Sequence, residues 1–385
     1  MSTTPTVFII AGEPSGDVLG GRLMAALSQM TGGAIRFAGI GGESMHAQGL
    51  DTLVPMDELS VMGLAEIVPH LPRLLRHIRR AAAAVDDVAP DALITIDSPD
   101  FTRRVARRVR NRSIPRIHYV APTVWAWRPG RAKGFAQDFT HLLALLPFEP
   151  PLFEQAGLPC TFTGHPVVEA GARSGDGTGF RARHGVPADA PTICVLPGSR
   201  RGEVARLADD FGATLELCHR RMSAMRVVIP TVPGVADMVE RRAAGWPGSP
   251  LVIHGEAARY DAMAASNVAL AASGTVALEL AVAGVPAVIA YRVAPLTHFL
   301  LRRMVTVQYA NLINIIENRE IVPELIQDDC RPDRLAQEIE RLLGPAGEAQ
   351  LEASQPALRQ LGVGGEPPSR RAARTILDII GAAAS

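Results

Sequence analysis

Lysine is almost missing from this chain of 385 residues: of 39 basic side chains, all but Lys133 are arginine. A replacement this general reflects coding bias rather than a binding function. Cysteine is scarce too. Cys160, Cys194, Cys218 and Cys330 stand far apart, at no metal-ligand spacing, which excludes a zinc site and a CxxC redox motif. Two of them lie in apolar runs and read as buried thiols, and a reducing, cytosolic compartment fits the set. Net charge is also lacking. The 39 acidic residues cancel the 39 basic ones, so the whole molecule exerts no long-range pull on nucleic acid or membrane. The start offers no basic segment before a long apolar one, and residues 7–11 are too short for a signal-peptide core, so export is not expected. A membrane span is lacking as well. Residues 268–291 carry only one charge, Glu279, but Gly274, Gly284 and Pro286 divide them into strand, helix and strand lengths.

What is present is alternation. Short apolar runs at 7–11, 35–40, 92–96, 116–120 and 141–146 read as strands, with helical patterns at 17–30, 70–88 and 100–112 between them. The pattern breaks near Gly164-His165-Pro166, and residues 171–191 read as a linker. It resumes with strands at 192–196, 226–230, 251–254, 268–272 and 287–291, and helices at 203–222, 234–244, 257–265, 275–283 and 332–343, closed by Gly344-Pro345. The fold class is therefore α/β: two doubly wound, Rossmann-like domains facing across a cleft, the B-type glycosyltransferase (GT-B) architecture. The expected boundaries are 1–167 and 168–345, with a last helix at 369–382 returning to the first domain.

In open parallel sheets ligands bind beyond the carboxyl ends of strands. Ser273-Gly274-Thr275 ends a buried strand and opens a helix, where free N–H groups and the dipole favour a diphosphate; Glu279, one turn in, suits ribose hydroxyls. Gly198-Ser199-Arg200 repeats the arrangement, and Arg200 can fork onto phosphate. Two such loops suit one pyrophosphate. In the first domain Gly12-Glu13-Pro14-Ser15-Gly16-Asp17 follows the first strand, with Ser15 or Asp17 as helix cap. Asp97 ends another strand as a general-base candidate, with Asp100 as the next N-cap. The spacings GxxxxGK[ST] and, after strand one, GxGxxG are absent, so neither a P-loop nor a nicotinamide fingerprint is present. Trp125 and Trp127 precede Arg128, Arg131 and Lys133, which suggest an acceptor phosphate nearby. Residues 70–135 hold 14 basic against 5 acidic side chains. Val61, Met62, Leu64, Leu71, Leu74 and Leu75, interleaved with Arg73 and Arg76, suit an anionic membrane surface as well as they suit packing on the chain's own sheet. The arginines at 103–112 come with no aromatic platform or nucleic-acid motif, so no nucleic-acid partner is expected.

Ala11-Gly-Glu-Pro-Ser-Gly-Asp17, Leu59-Ser-Val-Met-Gly63, Val124-Trp-Ala-Trp-Arg128, Leu145-Leu-Pro-Phe-Glu149, Gly164-His-Pro166, Pro197-Gly-Ser-Arg200 and Ser273-Gly-Thr275 occur in this order. As a set they closely resemble the lipid-A-disaccharide synthases, over about residues 7–330. The resemblance implies an inverting transfer from UDP-2,3-diacylglucosamine to the 6-hydroxyl of 2,3-diacylglucosamine 1-phosphate (lipid X). It also implies a peripheral enzyme on the cytoplasmic face of a Gram-negative inner membrane. Neither cofactor nor metal is expected, and a homodimer stays open. By resemblance Arg200 and Ser273–Thr275 hold the donor phosphates and Glu279 the ribose. Asp97 or Glu13 is the base, Ser15 lies on the acceptor side, and Asn314, with Asn311 as the competing choice, is a site asparagine. The family usually has Ser-Pro-Ser where this chain has Ala121-Pro122-Thr123. The alternatives are another UDP-sugar enzyme of the superfamily, such as an N-acetylglucosaminyltransferase of the peptidoglycan type or an epimerase, and a non-catalytic nucleotide-sugar or lipid-binding protein.

Overall fold

The computed structural model describes residues 4–58, 64–127, 130–272, 275–293 and 307–384. It divides into two units, residues 1–166 with 364–385, and residues 167–363.

The first unit holds β1 (Thr6–Ala11), β2 (Arg36–Ile40), β3 (Ala92–Ile96), β4 (Arg116–Tyr119), β5 (His141–Ala144) and β6 (Cys160–Phe162). They form one sheet in the order β2-β1-β3-β4-β5-β6, parallel throughout. The alternation of side chains along a strand feeds two cores. Phe8 and Ile10 enter one with Leu93; Val7, Ile9 and Ala11 enter the other with Ala92, Ile94 and Ile96. Both faces are covered, so the central strands read as continuous apolar runs. The C-terminal helix Pro368–Ala384 packs beside helix Pro14–Met30, contributing Ala372, Ala373 and Ile376 to the second core.

The second unit repeats the scheme with β7 (Thr192–Leu196), β8 (Arg226–Pro230), β9 (Leu251–Ile253), β10 (Val268–Ala272), β11 (Ala287–Tyr291) and β12 (Glu324–Ile326). Their order is β12-β11-β10-β7-β8-β9, again all parallel. Residues 268–291 form strand, helix (Val276–Ala283) and strand. No helix among the described residues is long and apolar enough to cross a membrane.

Several local expectations fail for identifiable reasons. Strands β6 and β12 are three residues each, too short for a periodic signal. Gly344-Pro345 does close helix Pro332–Leu342, but it also opens helix Pro345–Gln360, which was not expected; proline is favoured at a first helical position because its missing N–H has no partner there anyway. That helix ties to β11 through Gln350, which exchanges two hydrogen bonds with the backbone of Ala287. The presumed linker at 171–191 contains helix Gly177–His184, capped by the Asp176 carboxylate on the Gly179 amide. The helix expected at 100–112 is confined to Pro99–Ala106.

Candidate functional site

Each sheet has one position where the strand order reverses, between β1 and β3 and between β7 and β10. Chains leaving such neighbours diverge to opposite faces and leave a crevice. Four of the loops singled out in the sequence follow these strands, with Ala11 opposite Ile96 and Leu196 opposite Ala271.

At the first crevice Asp97 and Ser98 both adopt left-handed backbone, with φ of 52° and 43°. Two such residues in a row without glycine store strain, a feature that clusters at functional sites. The surroundings hold them there. The Asp97 amide donates to the Tyr119 carbonyl at 3.0 Å, and Thr102 Oγ1 donates to the carbonyls of Asp97 and Ser98. Ser98 Oγ donates to Glu13 Oε1 at 2.9 Å, linking the loop after β3 to the loop after β1. The Asp97 carboxyl is pushed above its ordinary range, first by burial and then by the Glu13 charge, against the Ser98 amide that donates to it. Ser15 is exposed on the first turn of its helix.

Two capping expectations are corrected here. Asp17 does not cap its own helix. It is buried, and its carboxylate accepts from the amides of Gly42, Ser44 and Met45 at 2.7–3.1 Å, so it caps the next helix, Glu43–His46. Asp100 is not an N-cap either: Ser98 holds that position, and Asp100 lies exposed inside the first turn, 3.8 Å from Arg131. Arg128 lies outside the described residues.

The loops after β4 and β5 meet through a residue the sequence reading passed over. Glu149 is buried; its Oε2 accepts from the amides of Leu145 and Leu146, and its Oε1 from Trp125. Its motif was visible, but nothing local showed which indole it would meet.

At the second crevice a cavity of about 330 Å³ is lined by Gly198, Ser199, Arg200, Thr231, Thr275 and Glu279, among others. Ser273 and Gly274 lie outside the described residues. Thr275 is the N-cap of helix Val276–Ala283. Gly198 has φ of 115°, and a Cβ there would run into Glu203, so the position requires glycine. Arg200 is the N-cap of helix Arg201–Arg221, its side chain 76% exposed and 3.3 Å from Glu203. The buried Glu203 carboxylate accepts from the Ser199 and Arg200 amides at 3.2 and 3.3 Å. An anion arriving at this loop therefore competes with Glu203 for those two amides and meets the Arg200 guanidinium unhindered by burial. Glu279 is not a surface charge. Its side chain is 16% exposed and accepts from Arg259 at 3.2 Å.

Asn314 is fully buried and its polar atoms are committed to the fold. Its Nδ2 donates to the Val322 carbonyl and to Glu324, and its Oδ1 accepts from the amides of Ile321 and Val322. This assigns Asn314 the work of holding the 318–324 turn. Asn311 caps helix Leu312–Glu317, its Oδ1 accepting from Ile313 at 2.7 Å, while its buried Nδ2 meets no acceptor among the described residues.

Of the two readings of the apolar stripe, a membrane surface or packing on the chain's own sheet, the described leucines take the second. Leu74 and Leu75 are half-buried and pack on the core beside Ile78, because they share the inward face of helix Leu64–Val88. Arg73 and Arg76 are exposed. Val61 and Met62, and the side chains of Leu64 and Leu71, lie outside the described residues. All four cysteines are buried free thiols.

The sequence model of the lipid-A-disaccharide synthetase family matches residues 7–372. A lipid-A-disaccharide synthase of Rhodospirillum centenum is 56% identical over 97% of this chain and 94% of its own length. That of Paramagnetospirillum magneticum is 49% identical over 97% of each. Among solved structures, a UDP-GlcNAc 2-epimerase from Neisseria meningitidis bound to UDP-GlcNAc has a TM-score of 0.64 at 12% identity, covering 97% of this chain and 99% of that one. The calicheamicin glycosyltransferase has a TM-score of 0.62 at 17% identity, covering 99% and 100%. At such identities the likeness concerns the fold, two parallel-sheet units of the GT-B kind.

Proposed function

This chain belongs to the lipid-A-disaccharide synthetase family, and we propose that it transfers the sugar of UDP-2,3-diacylglucosamine to the 6-hydroxyl of 2,3-diacylglucosamine 1-phosphate, forming the β-1,6 disaccharide 1-phosphate and UDP. It is a glycosyltransferase of lipid A biosynthesis. The observation that carries the reading is the second crevice, where an arginine, a glycine loop and a helix start line one cavity at the strand-order reversal. That combination suits a diphosphate leaving group.

In the proposed step Asp97 accepts the proton of the acceptor hydroxyl as it attacks C1 from the face opposite the diphosphate, which inverts the anomeric centre. A carboxyl with a raised pKa is a better base than an ordinary one, provided it is ionised. Glu13, joined to the same loop through Ser98, tunes it. Arg200 and the helix start at Thr275 stabilise the charge that develops on UDP; one such donor is typically worth about 3–4 kcal/mol of barrier. The proposed step uses no metal, since these groups supply the positive charge.

The proposal includes a peripheral place on the inner membrane. Support comes from the exposed Arg73, Arg76, Arg79 and Arg80, which suit anionic headgroups. A transfer assay comparing diacylated with unacylated UDP-glucosamine tests the function. Disaccharide from the diacylated donor alone is the expected result. Transfer from UDP-N-acetylglucosamine, its epimerisation, or UDP binding without any disaccharide would assign the chain elsewhere.

A further inference from the structure

The cavity of the second unit has a second cation that no sequence motif announced. Arg259 lies in the first turn of helix Glu256–Ala264, directly after β9, and lines the cavity together with Glu279. Its side chain is 23% exposed. Its Nη2 donates to Glu279 Oε1 at 3.2 Å and to the Tyr260 hydroxyl at 2.8 Å, and its guanidinium lies over the Tyr260 ring, 4.8 Å from the centroid. The ring and the hydroxyl restrict where the fork can go. The Arg259 Nε–H is buried with no acceptor among the described residues.

Glu279 needs such a partner. Its helix, Val276–Ala283, is apolar nearly throughout, with Leu278, Leu280 and Val282 buried around it. A carboxylate in that setting is costly unless paired. A pair between two elements that both line one cavity fixes where the carboxylate points.

We propose that Arg259 is a positioning residue of the donor site: it clamps Glu279 through one oxygen so that the carboxylate meets the ribose hydroxyls of the nucleotide. The inference rests on the donor-site reading of this cavity. Arginine suits the task better than lysine, because its planar guanidinium, held over the Tyr260 ring, fixes the direction in which Nη2 donates to Glu279.

The test uses the full-length chain and two probes, UDP and 2′,3′-dideoxy-UDP, by calorimetry. A hydrogen bond to a charged acceptor corresponds to a preference for UDP of roughly tenfold or more in the unaltered protein. In Arg259→Met the preference is expected to collapse, because UDP binding falls while dideoxy-UDP binding stays nearly constant. Arg259→Lys keeps the charge but not the planar group over Tyr260. It is expected to lose most of the preference too, and it serves as the test if the methionine variant does not fold. An arginine with a merely structural role would weaken both probes by the same factor and leave their ratio intact; that result overturns the inference. A protein that binds UDP without preferring it over dideoxy-UDP also overturns it, with the donor site left standing. Failure to bind UDP at all removes the donor-site reading and the inference together.

Discussion

Trp125 Nε1 donates to Glu149 Oε1 at 3.2 Å, joining the turn after β4 to the turn after β5. Two backbone amides, of Leu145 and Leu146, converge on the other oxygen. Three donors on one carboxyl call for two acceptor oxygens. Glutamine would set an N–H against an N–H whichever way it turned.

Burial is the largest influence on that carboxyl and raises it to about 7, against the three donors. A carboxyl raised in the folded state keeps its proton there after the unfolded chain has lost it. Its contribution to stability is therefore full below the ordinary value of 4.5 and is lost as pH rises towards 7. The full shift corresponds to about 3 kcal/mol as an order of magnitude. Denaturant unfolding followed by tryptophan fluorescence should show the native protein weakening between those limits more steeply than Glu149→Gln. Parallel pH profiles would remove Glu149 as the cause.

Asp97 and Glu13 make a pH prediction of the opposite kind. A general base must be ionised, so kcat/KM should fall as pH drops through the raised Asp97 value. The Glu13 charge contributes to that elevation. In Glu13→Gln the acidic limb should therefore move to lower pH, while Asp97→Asn should lose roughly 10²–10⁴ of turnover and keep its UDP affinity. An acidic limb that stays in place in Glu13→Gln would separate the two carboxyls. Near-normal turnover in Asp97→Asn would end the base assignment.

Arg200 is exposed and pairs with Glu203, within its own first helical turn. Arg200→Ala should leave thermal stability almost unchanged, since exposed pairs contribute little. UDP should bind roughly 10- to 100-fold more weakly, the range for losing a charge-assisted hydrogen bond. Unchanged UDP affinity by calorimetry would take Arg200 out of the donor site.

Asn314 separates scaffold from chemistry. Its four hydrogen bonds are internal, so Asn314→Ala leaves buried amides and a carboxylate without their partner. A loss of about 3 kcal/mol or more is expected. Thermal unfolding should show it before any change in the kinetics of the surviving folded fraction. A variant of native stability that turns over poorly would return Asn314 to the reacting centre.

The sequence carried the architecture because parallel strands buried on both faces must be apolar, and crossover helices must be amphipathic. The runs at 92–96, 192–196, 226–230, 268–272 and 287–291 coincide with β3, β7, β8, β10 and β11. It lost β6, β12 and helix Pro345–Gln360, where elements are short or a proline permits two readings. The loops proposed for catalysis and donor binding were legible because strand–glycine–helix transitions are written in consecutive residues.

What joins those loops was not legible. Asp17 serves amides 25 to 28 residues away, Ser98 reaches Glu13 across 85 residues, and Arg259 meets Glu279 twenty residues on. A side chain's partner across such distances depends on which strands become neighbours, and nothing in local composition encodes that. The sequence by itself determined the two parallel sheets, the family and the position of the loops beyond the strand ends. The tertiary structure decided which polar side chains are committed to the fold, as Asn314, Asp17 and Glu203 are, and which, like Arg200, stay exposed at a crevice. The reason is physical: a buried polar atom must find its partner in the folded neighbourhood, and only the order of the strands supplies that neighbourhood.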